Sequence, residues 1–206
     1  MKTRSDMHYL RKIWHMGAVF LLFILYRLIP ETMTPYFFGV LAFIAVAIDA
    51  LRLRSPLMND LVMAIFKPLM RASEVKGYAG TTFLLTGVFI IVLAFPKVVV
   101  SLTLLFLAFG DPIASFIGIR YGKDKIFGHK SIQGFIAAFV VCLLITLSYF
   151  YVREIMSNRL FVVSLISGMI GALAELIPIS KIDDNLSLPI LSSLGLFIVF
   201  FFFGLL

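Results

Sequence analysis

The sequence predicts an all-α polytopic membrane protein with about seven transmembrane helices plus one interfacial amphipathic helix. Hydrophobic residues make up 61% of the 206 residues, and the mean hydropathy is +1.06. A soluble domain of this length needs far more polar surface. Several apolar stretches approach or exceed the roughly 20 residues that span a bilayer core. No internal repeat or low-complexity linker interrupts the chain, so we expect residues 1–206 to form one membrane-embedded domain.

The predicted spans follow the apolar runs of the sequence. They lie at Ile13–Ile29, Pro35–Leu51, Tyr78–Phe95, Val98–Ile119, Ser131–Val152, Leu160–Ile179 and Leu186–Leu206. Lys and Arg residues predict the orientation, because they favour the cytoplasmic side of a membrane. A cytoplasmic N-terminus puts 14 of them on that side, including Lys2, Arg4 and Lys181, and leaves 4 on the other. The prediction is therefore N-in and C-out.

The segment Pro56–Arg71, between the second and third spans, has a different pattern. The apolar residues that recur there every four positions are Leu57, Leu61, Ile65 and Leu69, with polar residues between them. This periodicity favours a helix that lies in the membrane interface. Ser55 is the predicted N-cap of that helix, and Pro56 its first residue.

Four ionisable residues fall in the cytoplasmic half of the predicted spans. They are His15, Asp49, Asp111 and Glu175. Since lipid cannot solvate such groups, each is a candidate functional residue by default. Structural alternatives remain for three of them: a backbone hydrogen bond for His15, an ion pair with Arg52 for Asp49, and pairing with a cation for Glu175. Asp111 lies well inside its span and is the hardest to explain structurally.

Loops on the same face add further polar residues. These are the pair Arg71 and Glu74, which can also form a local ion pair, then Lys130 and Ser131, and finally Asp183, Asp184 and Asn185. The orientation was deduced from basic residues alone. The gathering of acidic residues on the same side is therefore a separate observation, and it predicts a polar site at the cytoplasmic face.

The fourth predicted span carries the sharpest signal. Small residues recur every four positions at Gly110, Ala114, Gly118 and Gly122. They allow either another helix or a ligand to approach closely. The sequence Gly110–Asp111–Pro112 predicts a break in the helix, because Pro112 has no N–H to donate. Asp111 is then the N-cap of a new half-helix, with Pro112 as its first residue.

The loop that follows this span is basic and contains glycines. Its cationic or ionisable residues are Arg120, Lys123, Lys125, His129 and Lys130, and its glycines are Gly122 and Gly128. A loop of this kind beside carboxylates suits a polyphosphate with a divalent metal. The net charge of +7 agrees with contacts to phosphates or anionic headgroups and does not require a nucleic acid partner. The sequence has no Walker A loop, which is a stronger phosphate motif.

Taken in order, these residues resemble the CTP-dependent lipid kinases, a family that includes dolichol kinase, phytol kinase and the CTP-dependent diacylglycerol kinase. The matching nucleotide motif runs through Asp111, Ala114, Gly118, Gly122, Lys130, Ser131 and Gly134. The other matching signatures are Arg11-Lys12-x-x-His15, Arg71-x-x-Glu74 with Gly80-Thr81-Thr82-Phe83, and Glu175 with Asp183-Asp184-Asn185 and Pro189. The family is also distantly similar to phosphatidate cytidylyltransferases.

The resemblance implies transfer of the γ-phosphoryl group of CTP to a membrane alcohol, either diacylglycerol or a polyprenol or other isoprenoid alcohol, with Mg²⁺ as cofactor. Under this hypothesis we assign catalytic roles to Asp111, Lys130, Glu175 and Asp183, with either Glu175 or Asp183 as the acceptor of the hydroxyl proton. We assign Mg²⁺ binding to Asp111 and Asp184, with Asp183 as an alternative ligand. The implied nucleotide-binding residues are Ala114, Ser115, Gly118, Arg120, Gly122, Lys123, Lys130, Ser131 and Gly134. Other polar residues expected on that face are His15, Asp49, Arg52, Arg71, Glu74 and Asn185. The site should face the cytoplasm from a bacterial or archaeal plasma membrane, or from the endoplasmic reticulum of a eukaryote.

Two alternatives remain open at this point. A cytidylyltransferase also uses CTP but releases pyrophosphate. A small lipid or ion transporter also has mid-membrane carboxylates and broken helices. The basic glycine loop and the lack of an inverted repeat favour the enzyme over the transporter. The apolar walls of a binding site discriminate poorly between the apolar chains of different lipid alcohols, so the sequence does not indicate which lipid alcohol is the substrate.

Overall fold

The computed structural model describes residues 9–128, 130–155, 157–179 and 182–206, and these residues are mostly helical. The helices are α1 Tyr9–Leu28, α2 Thr34–Arg54, α3 Pro56–Phe66, α4 Gly80–Ala94, α5 Lys97–Leu105, α6 Asp111–Arg120, α7 Ile132–Val152, α8 Leu160–Leu176 and α9 Asp184–Phe202. Shorter helical turns occupy Lys67–Leu69, Ala72–Val75, Phe106–Gly110 and Ser157–Arg159, and two short strands are β1 Lys125–Phe127 and β2 Lys130–Ser131. The predictions that involve Lys2, Arg4, His129 and Lys181 lie outside the described residues.

The helices confirm an all-α membrane protein. Five of them are long and apolar enough to cross a bilayer: α1, α2, the continuous helix Lys97–Arg120, α7 and α9. Two shorter apolar helices, α4 and α8, occupy the other two predicted spans. The continuous helix Lys97–Arg120 is the most enclosed of the five, with 67% of its most apolar stretch buried. It therefore forms the centre of the bundle, and Asp111 lies on it.

The predicted break at Asp111 is wrong, because the helix continues through it. Residues Phe106–Gly110 form a π-helical turn, and the Asp111 N–H donates to the Phe106 carbonyl five residues earlier. Asp111 itself has helical backbone angles (φ −61°, ψ −51°) and is not an N-cap. A π-turn is wider than an α-turn, and this local widening accommodates the proline that follows. The Asp111 side chain is thereby left available for other contacts.

The predicted start of the segment after α2 is confirmed. The Ser55 hydroxyl accepts a hydrogen bond from the Met58 N–H at 3.5 Å, and Pro56 is the first residue of α3. None of the residues of α3 is buried, and Leu57 and Ile65 are 70% and 71% exposed. An exposed apolar stripe on a short helix agrees with the prediction that α3 lies in the membrane interface.

The basic loop after α6 contains an antiparallel hairpin that the sequence did not predict. Lys125 pairs with Ser131 and Phe127 with Lys130, with an irregular register between them. Gly128 has a positive φ of +55°, which glycine adopts at little cost. The hairpin fixes the position of Lys130 directly before α7, where the Ser131 hydroxyl accepts from the Gly134 N–H at 3.2 Å.

Candidate functional site

Ion pairs join the helix ends at one side of the bundle. They connect residues that are far apart in sequence: Arg11 with Glu74, Arg71 with Asp183, and Lys130 with Glu175. The start of α1, the start of α9, the end of α8 and the hairpin therefore meet on this side. We call this side the polar end. The ion pair Lys97–Glu31, with N–O distance 2.8 Å, lies at the start of α5 and hence at the opposite end.

Asp111 faces basic residues of α1. Its Oδ2 lies 4.0 Å from His15 Nε2, and its side chain is 25% exposed. Neither His15 Nε2 nor Lys12 Nζ makes a hydrogen bond to the described residues, although both atoms are buried. Lys12 Nζ lies 5.9 Å from the centre of the Phe116 ring on α6. The contact between α1 and the central helix thus brings together the Asp111 carboxylate and two buried nitrogen atoms that have no hydrogen-bond partner among the described residues.

Lys130 lies among carboxylates from two other elements. Its Nζ is 2.6 Å from Glu175 Oε1 on α8 and 3.4 Å from Asp184 Oδ2 at the start of α9. Burial lowers the pKa of Lys130, but the attraction of Glu175, then of Asp111 and Asp184, outweighs it, so the net pKa is raised. Lys130 is therefore a firmly protonated cation, and we call Lys130, Glu175, Asp184 and Asp111 the Lys130 cluster.

Arg71 links the segment before α4 to the start of α9. Its Nη1 donates to Asp183 Oδ2 at 2.7 Å, and its Nε lies 3.8 Å from Glu74. Glu74 also pairs with Arg11 at 3.5 Å. Asp183 is the N-cap of α9, where its Oδ1 accepts from the Asn185 N–H at 3.0 Å. Both oxygens of Asp183 are therefore occupied, in contrast to the carboxylate of Asp111.

Asp49 and Arg52 form a buried ion pair, which is the structural alternative that the sequence offered for Asp49. Arg52 Nε donates to Asp49 Oδ1 at 2.6 Å, and its Nη2 donates to the Glu74 and Gly77 carbonyls at 3.0 and 2.6 Å. The other oxygen of Asp49 accepts from the Ala79 N–H at 2.7 Å. The pair thereby holds the start of α4 against α2. These contacts give it a structural role beside the site.

Replacing Arg52 with Met should destabilise the protein strongly. The Arg52 side chain is only 1% exposed, and its loss leaves the Asp49 carboxylate buried without a cation. Breaking a buried ion pair from one side typically costs about 3–5 kcal/mol. Thermal unfolding of the purified protein in detergent measures the effect. The exposed Arg54→Met variant is the matched control, and equal melting temperatures for the two variants would contradict the structural role.

The predicted stripe of small residues packs α6 against α7. Ala114 is buried beside Ala138 of α7, and a Cβ added at Gly118 would lie 3.2 Å from the Ser131 hydroxyl. A Cβ at Gly134 would lie 3.0 Å from the Ala114 carbonyl. At these distances an added Cβ would be tighter than an ordinary van der Waals contact, which agrees with a role of the small residues in helix packing. A nucleotide-binding role for them remains a prediction.

The other predicted nucleotide-binding residues lie around the hairpin. Arg120 is exposed, with its guanidinium 6.0 Å from the Phe116 ring and 5.5 Å from the Tyr121 ring. Lys123 is exposed, and its N–H donates to Gln133 Oε1 at 3.1 Å. Ser115 is partly buried on α6. Arg120 ends α6 and Lys123 lies three residues farther on, so both are exposed cations at the polar end.

The predicted site omitted Arg11 and Lys12, which the structure brings to it. Both lie about one helical turn before His15, so they share its side of α1. That spacing is the signal by which sequence reasoning could have included them. Together with Lys130 they make the polar end rich in cations that are held close to carboxylates.

The carboxylates suit a divalent cation that is shared with a phosphate. Within the described ranges, no group of three or more His, Cys, Asp or Glu residues is arranged to hold a metal alone. Mg²⁺ typically takes only one or two protein carboxylates and completes its shell with water and substrate phosphates. Asp111 and Asp184, whose negative charges both act on Lys130, are two carboxylates of the kind that Mg²⁺ binds.

The chain resembles several curated proteins. It is 32% identical over 161 residues to CTP-dependent diacylglycerol kinase 1 of Schizosaccharomyces pombe, covering 73% of this chain and 74% of that protein. It is 31% identical over 204 residues to CTP-dependent diacylglycerol kinase 1 of Saccharomyces cerevisiae, covering 89% and 70%. A probable chloroplastic phytol kinase 1 of Glycine max is 34% identical over 101 residues, covering 44% and 33%. No family model matches the chain. No solved structure matches it either.

Proposed function

This chain belongs to the family of CTP-dependent lipid kinases, and from that premise we propose that it transfers the γ-phosphoryl group of CTP to the hydroxyl of a membrane lipid alcohol. The acceptors are diacylglycerol or an isoprenoid alcohol, in line with the names of its relatives. The observation that carries the proposal is the Lys130 cluster, which gathers a cation and three carboxylates from four parts of the chain at one end of a membrane bundle.

The cluster supplies what phosphoryl transfer requires. The transferred group passes through a loose transition state, so catalysis consists mainly of positioning and charge stabilisation. Lys130 is protonated and supplies a fixed positive charge for phosphate oxygens, and Arg120 and Lys123 are exposed cations at the same end of the bundle. Lys12 Nζ is buried without a hydrogen-bond partner among the described residues and can donate to a phosphate as well.

Mg²⁺ would be held by Asp111 and Asp184, whose oxygens have the chemistry it prefers. When bound, the metal would neutralise negative charge on the phosphates. Glu175 is our candidate for accepting the proton of the lipid hydroxyl, because it lies inside the Lys130 cluster. Asp183 is the weaker candidate, since Arg71 and the N-cap bond already occupy its carboxylate.

Activity should depend on Mg²⁺. An excess of chelator is expected to stop lipid phosphorylation, and added Mg²⁺ should restore it, because a triphosphate beside carboxylates needs a neutralising cation. Turnover is measured with purified protein in detergent micelles, and its melting temperature is followed in parallel. Full turnover in excess chelator would contradict the assignment of Asp111 and Asp184 to a metal.

We further propose that α4 and α8 also cross the membrane, giving seven spans with the N-terminus and the polar end in the cytoplasm. The distribution of Lys and Arg supports this orientation, with 14 on one side and 4 on the other. The polar end then faces cytosolic nucleotide. The membrane is the plasma membrane of a bacterium or archaeon, or the endoplasmic reticulum of a eukaryote.

The orientation predicts which positions impermeant thiol reagents reach in intact cells. A cysteine at Asp124, in the exposed loop before β1, should be protected from outside and should react only after the cells are opened. A cysteine at Glu31, at the opposite end, is the matched control and should react from outside. The native Cys142 is 1% exposed and should not react with the reagent. The reverse pattern would overturn the orientation.

The acceptor is identified with purified protein, CTP and a panel of lipid alcohols. We expect a lipid monophosphate from diacylglycerol or from an isoprenoid alcohol such as phytol or a polyprenol, detected by mass spectrometry. Phosphatidate is included as a substrate for a cytidylyltransferase. Formation of a cytidine diphosphate lipid from phosphatidate, with none of the alcohols phosphorylated, would replace the kinase with that alternative.

A further inference from the structure

A groove runs along the membrane-facing side of the bundle. It has a volume of about 450 Å³, within the range of small-molecule sites, and lies between α1, the central helix and α7. Its lining includes Phe23 of α1, Leu105 and Phe109 of the central helix, and Ser148 and Tyr149 of α7. Arg153, at the end of α7, also lines the groove, and its guanidinium lies 5.9 Å from the Tyr149 ring.

One end of the groove leads to the π-turn Phe106–Gly110, which directly precedes Asp111. Phe109 belongs to the π-turn and precedes Asp111 by two residues. A Cβ added at Gly110 would lie 3.0 Å from Cys142 Sγ, so this turn is level with Cys142 on α7. Ser148 is six residues farther along α7, or about 9 Å at 1.5 Å per residue, in the direction away from Lys130. The groove thus begins beside the proposed site and leads away from the polar end.

We infer that this groove holds an apolar tail of the lipid alcohol whose hydroxyl is phosphorylated, an inference that rests on the proposed function. A lipid alcohol with its hydroxyl at Asp111 and Lys130 must extend its tail away from the charged groups, because burying apolar chain among them leaves their charges unsolvated. The groove supplies apolar and aromatic walls in that direction. It reaches the π-turn before Asp111, because Phe109 of that turn is part of its lining. Arg153 is the last residue of the chain that lines the groove, and it marks the end far from Asp111.

The test narrows the groove with Ser148→Trp and compares two diacylglycerols. Counted from its free hydroxyl, diacetylglycerol reaches only about 7 Å over six bonds at about 1.2 Å per bond, so it stops short of Ser148, whereas an oleoyl chain passes it. For dioleoylglycerol the variant should lose about tenfold or more in kcat/KM, while for diacetylglycerol it should stay within about twofold of wild type. The control is Leu165→Trp, on the exposed face of α8 outside the groove.

Two outcomes would overturn the inference: Ser148→Trp behaving like Leu165→Trp, or an equal loss on both substrates. Wild-type protein that phosphorylates neither substrate nor any other alcohol would instead contradict the proposed function. A second measurement does not depend on turnover. A diacylglycerol with a photoreactive group in its tail should crosslink to α7 near Ser148, and excess dioleoylglycerol should compete while phosphatidylcholine should not. Equal competition by phosphatidylcholine would show that the groove holds bulk lipid and would overturn the inference.

Discussion

Replacing Asp111 with Asn is expected to abolish lipid phosphorylation while the protein stays folded. The substitution keeps the size of the side chain and removes the negative charge that a divalent cation requires. Loss of one electrostatic contact at a transition state commonly lowers kcat by about 100-fold or more. Because Asp111 is helical and caps nothing, the backbone should tolerate Asn without rearrangement. An ionised carboxylate at membrane depth costs roughly 2.5–3.5 kcal/mol on insertion scales, so a carboxylate retained there is expected to have a functional partner such as a cation.

The measurement compares turnover and melting temperature of wild type and Asp111→Asn in the same detergent. The melting temperature should shift by less than about 4 °C, since less than about 1 kcal/mol of stability is expected to change. Asp60→Asn, on the exposed surface of α3, is the matched control. Near-normal turnover in Asp111→Asn would return Asp111 to a purely structural role. If that variant fails to fold, Asp184→Asn tests the same metal site from the start of α9.

Replacing Lys130 with Met should have the second large effect. The substitution removes the cation that lies 2.6 Å from Glu175 and 3.4 Å from Asp184, so it should lower both stability and turnover. We expect turnover to fall by about 100-fold or more, because the phosphates lose a fixed positive charge. Exposed Lys67→Met is the control for the general loss of a lysine.

A double variant separates the structural part of the effect from the catalytic part. In Lys130→Met with Glu175→Gln, the buried carboxylate that Lys130 neutralises is itself removed, so much of the lost stability should return. Turnover should remain lost, because neither the cation nor the carboxylate is present. A double variant that regains both stability and turnover would show that Lys130 only neutralises Glu175.

The bundle could be predicted from the sequence because membrane spans depend on local composition. Each predicted span coincides with a helix, and Ser55 and Pro56 begin α3 as expected. The helix through Asp111 was mispredicted because a proline after an aspartate also matches an N-cap pattern, and nothing local distinguishes a half-helix from a π-turn. The hairpin was missed because β1 and β2 are only three and two residues long.

The pairing of side chains at the polar end was not predictable in the same way. The predicted orientation of the membrane spans indicated which residues lie at the polar end. The partner of each residue depends on how the helices pack. Arg11 and Glu74 are 63 residues apart, and Arg71 and Asp183 are 112 residues apart. Asp183 and Asp184 are adjacent in sequence, yet one caps α9 and pairs with Arg71 while the other faces Lys130. Tertiary packing alone distinguishes these two carboxylates.

The most direct test of phosphoryl transfer follows the label of CTP into lipid. Purified protein is incubated with Mg²⁺, with diacylglycerol, an isoprenoid alcohol or phosphatidate as the acceptor, and with CTP labelled in either the γ- or the α-phosphate. The proposed kinase moves only the γ-phosphoryl group, so label from the γ position should appear in the extracted lipid and label from the α position should stay in CDP. Label that enters lipid only from the α position, with release of pyrophosphate, would contradict the kinase and indicate a cytidylyltransferase.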